Sequence, residues 1–224
     1  KKFNIQMLVA ICVLSFPLLS SAATTINLGT ADSFAVLANT TITNTGSSVI
    51  TGDVGLAPGI SITGFLPGII NGVQQIANPV AVQAQNDLIT AYNNAIGQSV
   101  TATILTELGG TIHIPGVYDS ADGTFDINGT LTLDAQGNPD AVFIFKTAST
   151  LITGGASNIS LINGAQACHV FWQVGSSATL GTNSTFKGNI MALISATLTT
   201  GANVEGRVLA RNGAITLDTN NINK

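Results

Sequence analysis

Polar and apolar positions alternate in six short segments of this chain. Each is a threonine, then leucine or isoleucine, then a third residue that is mostly small or polar: Thr41-Ile42-Thr43, Thr130-Leu131-Thr132, Thr150-Leu151-Ile152, Thr179-Leu180-Gly181, Thr197-Leu198-Thr199 and Thr216-Leu217-Asp218. Successive side chains of a strand point to opposite faces, so the leucines point inward and the flanking threonines outward. From Thr130 onward the segments start 18 to 20 residues apart, with one longer step before Thr179. A stacked β-solenoid produces a period in this range, because each coil delivers one strand to each face. Stacked rungs then make a ladder of hydroxyls and methyls on one flat face.

The remaining pattern fills in the coils. Residues 28 to 60 read as short strands with turns at Gly46, Gly52, Gly55 and Pro58-Gly59. Residues 60–78 are irregular, with Gly64, Pro67-Gly68 and Gly72, and predict a small cap over the N-terminal end of the solenoid. An uncovered coil end would be an open sheet edge. Asn78-Pro79 starts a helix as N-cap and first helical residue, and Ala84, Leu88, Ala91, Tyr92 and Ala95 follow at helical spacing. Gly97 ends or interrupts this run, and a second helical stretch from about Val100 to Leu108 ends at Gly109-Gly110, which puts the helical region at about residues 79–108. Its apolar stripe must pack on one face of the solenoid.

A second phrase repeats across the helix. Thr45-Gly46-Ser47-Ser48-Val49-Ile50-Thr51-Gly52-Asp53-Val54 matches Thr182-Asn183-Ser184-Thr185-Phe186-Lys187-Gly188-Asn189-Ile190 and Thr200-Gly201-Ala202-Asn203-Val204-Glu205-Gly206-Arg207-Val208. The glycine before the polar residue marks a corner where the strand bends onto the next face. One copy precedes the helix and two follow it, so the N-terminal strands are expected to join the same stack out of sequence order.

Charged residues are only 8% of the chain, whereas 45% are hydrophobic, which implies a packed β protein with a neutral, hydroxyl-rich surface. Net charge is −4 and no basic patch exists, which excludes nucleic acid as a partner. Lys1-Lys2, an apolar stretch from Met7 to Leu19 and then Ser20-Ser21-Ala22-Ala23 predict a secretory signal peptide over residues 1–22, cleaved after Ala22 or Ala23. The mature chain, residues 23–224, is then expected to be one secreted, soluble, monomeric domain without a membrane span. Cys12 leaves with the signal, and Cys168 reads as a buried apolar residue in the strand-like segment 166–172.

Candidate chemistry is sparse. Asp119, Asp122 and Asp126 form the densest acidic group but fit neither calcium-loop pattern, and read as a turn. His113 and His169 lie far apart and show no zinc-ligand spacing. Carboxylates are too scattered for a polysaccharide-degrading solenoid, so no catalytic residue, metal or cofactor is expected. A non-catalytic adhesin that binds glycan on the same fold is the alternative. Aromatic residues for sugar stacking are scarce, however, and Trp172 is the only tryptophan.

The chain resembles the microbial ice-binding (antifreeze) proteins. The resemblance is carried by segments 28–37 (LGTADSFAVL), 51–55 (TGDVG), 116–118 (GVY), 142–145 (VFIF), 171–181 (FWQVGSSATLG) and 208–214 (VLARNGA), and it spans essentially the whole mature chain. It implies a right-handed β-solenoid of triangular cross-section, discontinuous in sequence, with a helix along one face and ice bound on another. Some members carry Thr-Ala/Gly-x-Thr/Asn on the ice-binding face. Thr147-Ala148-Ser149-Thr150 and Thr200-Gly201-Ala202-Asn203 fit this motif, whereas Thr182-Asn183-Ser184-Thr185 departs at its second position. The ice-contacting residues expected from the ladder and these tetrads are Thr41, Thr43, Thr147, Ser149, Thr150, Thr179, Thr182, Thr185, Thr197, Thr199, Thr200, Asn203, Thr216 and Asp218. Threonine suits such a surface: its methyl orders water, its hydroxyl anchors that water, and β-branching fixes its rotamer.

Overall fold

The computed structural model describes residues 23–224, and the expected signal segment lies outside them. Short strands wind into coils that stack in parallel, each coil sending one strand to each of three faces. The strands of the first face run through residues 102–104, 116–120, 143–147, 170–174, 189–192, 207–210, 34–38, 53–56 and 74–76, in stacking order. A second face is a separate sheet of seven strands: Phe125–Ile127, Leu151–Thr153, Ala178–Leu180, Ala196–Leu198, Ile215–Asp218, Thr41–Thr45 and Ser61–Thr63. The third face carries Ile112–His113, Thr130–Asp134, Asn158–Ile162, residues 185–187 and 203–205, Asn221–Asn223, Val49–Thr51 and Ile69–Asn71.

The N-terminal strands do stack on the C-terminal coil, as the repeated phrase implies. Val36 pairs with Val208, Ile42 with Ile215 and Ile50 with Ile222. Arg207 ties this junction: its Nε donates to the Asp32 carbonyl (3.0 Å), its Nη2 to Asp32 Oδ1 (2.6 Å) and its Nη1 to Asn189 Oδ1 (2.9 Å). The glycines of the phrase lie at the corner between the third and first faces. There Gly52, Gly188 and Gly206 have φ of +131°, +112° and +131°.

The interior is filled by inward aliphatics and an aromatic stack. Trp172 lies 4.3 Å from Phe145 and 5.2 Å from Phe186, centroid to centroid, and is fully buried. The Trp172 Nε1–H donates to the Lys187 carbonyl, so the ring is buried without an orphan donor. His113 closes this stack, 4.8 Å from Tyr118 and 5.8 Å from Phe145. Burial holds its imidazole below the ordinary value of 6.5, because the charged form loses hydration there. The unfolded chain therefore takes up the proton first: the stabilisation is complete above pH 6.5 and is lost as pH falls below it. Urea titrations should show stability falling from pH 7 to about pH 5, with a shallower fall in His113→Phe.

One helix, Pro79–Gly97, lies along the first face. Asn78 caps it, its Oδ1 accepting from Ala81 N at 3.0 Å, and Pro79 stands at its first turn, as expected. Its stripe of Ala84, Leu88, Ala91, Tyr92 and Ala95 packs on Phe34, Leu37, Val117, Ile144, Phe171, Met191 and Leu209. The helix is shorter than the expected 79–108. Its last carbonyls are taken by Lys146, whose Nζ donates to Ile96 O (3.2 Å) and Gln98 O (2.9 Å). Ala102–Ile104 is instead an edge strand paired with Tyr118–Ser120, where Thr103 and Ile104 meet β-branched preference. Lys146→Met should lower stability by about 1 kcal/mol, measured by denaturant unfolding, through loss of a buried cation at a helix C-terminus. Ice shaping should be unaffected, because this cation lies on the helix side.

Two further expectations change. Residues 60–78 lie at the end of the stack, but as its last coil: Ser61–Thr63 pairs with Thr41–Thr43, Ile69–Asn71 with Val49–Thr51 and Gln74–Ile76 with Val54–Leu56. Their glycines and prolines turn corners between very short strands. Cys168 is exposed rather than buried, because residues 167–169 form a 3-10 turn and the strand begins only at Val170.

Candidate functional site

The seven-stranded face is built on a continuous apolar floor. Leu151, Ala178, Ala196, Ile215 and Ile42 stack as one inward row, and Leu180, Leu198 and Leu217 belong to a second, all fully buried. Alternation then forces the intervening residues outward. The central outward column reads Thr179, Thr197, Thr216, Thr43 and Thr63, each paired in register with the next. Two residues earlier along each strand runs a column of Thr150, Ser177, Ser195, Ala214, Thr41 and Ser61. Two residues later come Gly181, Thr199, Asp218 and Thr45.

Rungs of a sheet lie about 4.7–4.9 Å apart, and outward neighbours along a strand about 6.6–6.8 Å. The hydroxyls therefore form a two-dimensional grid. Thr43 Oγ1 lies 3.5 Å from Thr216 Oγ1, and Thr182 Oγ1 3.3 Å from Thr199 Oγ1. Thr199 Oγ1 is further fixed by donating to the Leu180 carbonyl at 2.8 Å. Asp218 is the charged member of this last column; its carboxylate accepts from Thr200 Oγ1 (2.5 Å) and Thr219 Oγ1 (3.1 Å).

Of the residues singled out in sequence, Thr41, Thr43, Thr150, Thr179, Thr197, Thr199, Thr216 and Asp218 lie on this face. Thr130-Leu131-Thr132, although it shares the phrase, belongs to the third face, paired with Asn158–Ser160. The phrases also stack in two phases. Thr41 and Thr150 stand in the outer column, whereas Thr179, Thr197 and Thr216 align with Thr43.

The tetrads are split. Thr182 and Thr200 are exposed where this face turns toward the third, and Thr185 and Asn203 are already third-face residues, paired with each other. Thr147 and Ser149 stand at the opposite corner, beside the helix-covered face. Thr147 is buried, 2% exposed, with its hydroxyl donated to the Gly123 carbonyl, so it is removed from any contact surface. Sequence reasoning missed Ser61, Thr63, Thr45, Ser177 and Ser195. A signal existed for the first two: Ser61-Ile62-Thr63 repeats Thr41-Ile42-Thr43 after 20 residues.

The acidic group is dispersed. Asp119 lies in the strand Gly116–Ser120, Asp126 in Phe125–Ile127, and Asp122 in the turn between, accepting from Thr106 Oγ1 at 3.0 Å. Among the described residues no group of three or more His, Cys, Asp or Glu is placed to hold a metal ion.

A parallel solenoid that carries a flat, hydroxyl-bearing grid over a rigid floor defines a class of protein that meets an extended planar partner. Its side chains form a plane rather than a cleft. The chain belongs to the ice-binding-like family, whose sequence profile matches residues 36–223. It is 49% identical over 211 residues to an ice-binding protein of Nostoc sp. (strain HG1), covering 93% of this chain and 77% of that one. With ice-binding protein 1 of Shewanella frigidimarina it shares 35% identity over 88% of this chain but 26% of that longer protein. Among solved structures, the ice-binding protein of the Antarctic ascomycete Antarctomyces psychrotrophicus superposes with a TM-score of 0.87 at 42% identity, covering 89% of this chain and 98% of that one. An ice-binding protein from an Antarctic biological consortium gives 0.88 at 46% identity, covering 92% and 94%.

Proposed function

We propose that this protein is a secreted, non-catalytic, monomeric antifreeze protein that adsorbs to ice through the seven-stranded face. The observation that carries this reading is the central column of five threonines in unbroken parallel register, Thr179, Thr197, Thr216, Thr43 and Thr63. Thr41, Thr150 and Thr199 border it, with Thr182 and Thr200 at its corner.

Ice is an uncharged lattice in excess water. A charged surface gains little from it and holds its own hydration tightly. The threonine grid instead orders water over its methyls and anchors that water at its hydroxyls, at spacings near repeats of the lattice. The rotamers are already fixed, so docking orders few further degrees of freedom. Many weak contacts on one plane make adsorption nearly irreversible. Ice between adsorbed molecules then grows as curved bulges, which lowers the local freezing point and slows recrystallisation. Thermal hysteresis and ice shaping of the protein lacking residues 1–22 test this: a freezing gap with faceted crystals is expected, and round crystals that grow at the melting point would overturn it.

A further inference from the structure

We infer that the ice contact is confined to one end of the flat face: it spans the five rungs from Thr179 to Thr63 and stops at Ile152. This rests on the ice-binding reading above. Followed beyond Thr179, the same outward column continues through Ile152 to Asp126 and Glu107. Ile152 is 44% exposed and offers no hydroxyl to anchor water. The next two rungs carry carboxylates. That of Glu107 is held in place, accepting from Asn128 N (2.8 Å), Asn128 Nδ2 (2.6 Å) and Gly109 N (2.6 Å). An ionised carboxylate binds its hydration shell tightly, and ice supplies no opposite charge to replace it.

The other end of the column has the opposite character. Thr63 is exposed beside Ser61, and residues 54–86 contain no charged side chain. The central column is thus divided along the solenoid axis into an uncharged threonine part and an acidic part, while the Asp218 carboxylate, outside this column, accepts from Thr200 and Thr219. Two of the five contact rungs, Thr43 and Thr63, come from strands that precede the helix. Ile152 and Asp126 set the boundary and so limit the area adsorbed.

Tyrosine placed along this single column tests the boundary, read as thermal hysteresis at equal concentration with folding followed by circular dichroism. Thr43→Tyr should lose most of the activity and Thr63→Tyr, at the end of the column, a smaller but clear part, whereas Asp126→Tyr should match wild type. Ile152→Thr/Asp126→Thr, which lengthens the column from five threonines to seven, should raise it. Equal losses in Asp126→Tyr and Thr63→Tyr, or no gain in a folded Ile152→Thr/Asp126→Thr protein, would overturn the inference while leaving the ice-binding face standing. Full activity in Thr43→Tyr would instead overturn the assignment of the face itself. If Thr63→Tyr does not fold, Thr63→Val keeps the shape, removes the hydroxyl, and should still lower activity.

Discussion

Thr197→Tyr is expected to abolish most of the thermal hysteresis and to leave the fold intact. Thr197 stands in the middle of the central column, between Thr179 and Thr216, with the buried Ala196 and Leu198 on either side of it in the strand. A tyrosine ring there projects from the grid and lifts the neighbouring hydroxyls away from a flat crystal. Because adsorption sums many weak contacts, losing registry at the centre costs more than losing one contact at the rim. The inward floor is untouched, so stability should change by no more than about 0.5 kcal/mol, as for an ordinary surface substitution. Ice shaping, thermal hysteresis and thermal unfolding measured side by side check this. An active Thr197→Tyr protein would show that ice docks elsewhere.

Gly206→Ala should produce the largest loss of stability. Gly206 has φ of +131°, a region that side-chain-bearing residues rarely adopt. A Cβ there would also sit 2.1 Å from the carbonyl oxygen of Gly188, its register partner in the preceding coil. Backbone strain of about 1–3 kcal/mol adds to overpacking of about 1–3 kcal/mol. The neighbouring Arg207 anchors Asp32 and Asn189, so a shifted corner also pulls on the junction that docks the N-terminal strands. A loss of about 3 kcal/mol corresponds to a fall in Tm of roughly 6–12 °C for a chain of this size. A midpoint within about 2 °C of wild type would show that the corner can relax and that its glycine is dispensable.

The architecture was largely legible from residue spacing. Alternating Thr-Leu-x segments marked the coils. The three copies of the corner phrase put residues 45–54 in the same stack as 182–190 and 200–208, and Val54, Val36, Val208 and Ile190 indeed share one inward row, with the coil of Val36 between the first copy and the others. Asn78-Pro79 marked the helix start and Gly97 a candidate end, but the pattern did not choose between a stop at Gly97 and a second helical stretch, because the Lys146 ammonium that takes its last carbonyls lies about 50 residues away in sequence.

The flat face was legible in part. Strand alternation separates inward from outward within one segment, but each corner resets the phase. That is why Leu151 stacks on Ala178 rather than Leu180, and why Thr147, just before a corner, is buried although its tetrad fits. The Thr130-Leu131-Thr132 phrase shows the same limit from another side, since local pattern does not say which of three equivalent faces a strand joins. Ser61-Ile62-Thr63 was obscured because glycine and proline, the usual signs of irregular chain, here turn tight solenoid corners.

The most direct test of the central claim is partition of the protein lacking residues 1–22 into slowly growing ice. Adsorption predicts that the protein is engulfed and enriched in the ice fraction, with Thr197→Tyr left in the liquid. Exclusion of the unsubstituted protein into the liquid would contradict ice binding itself.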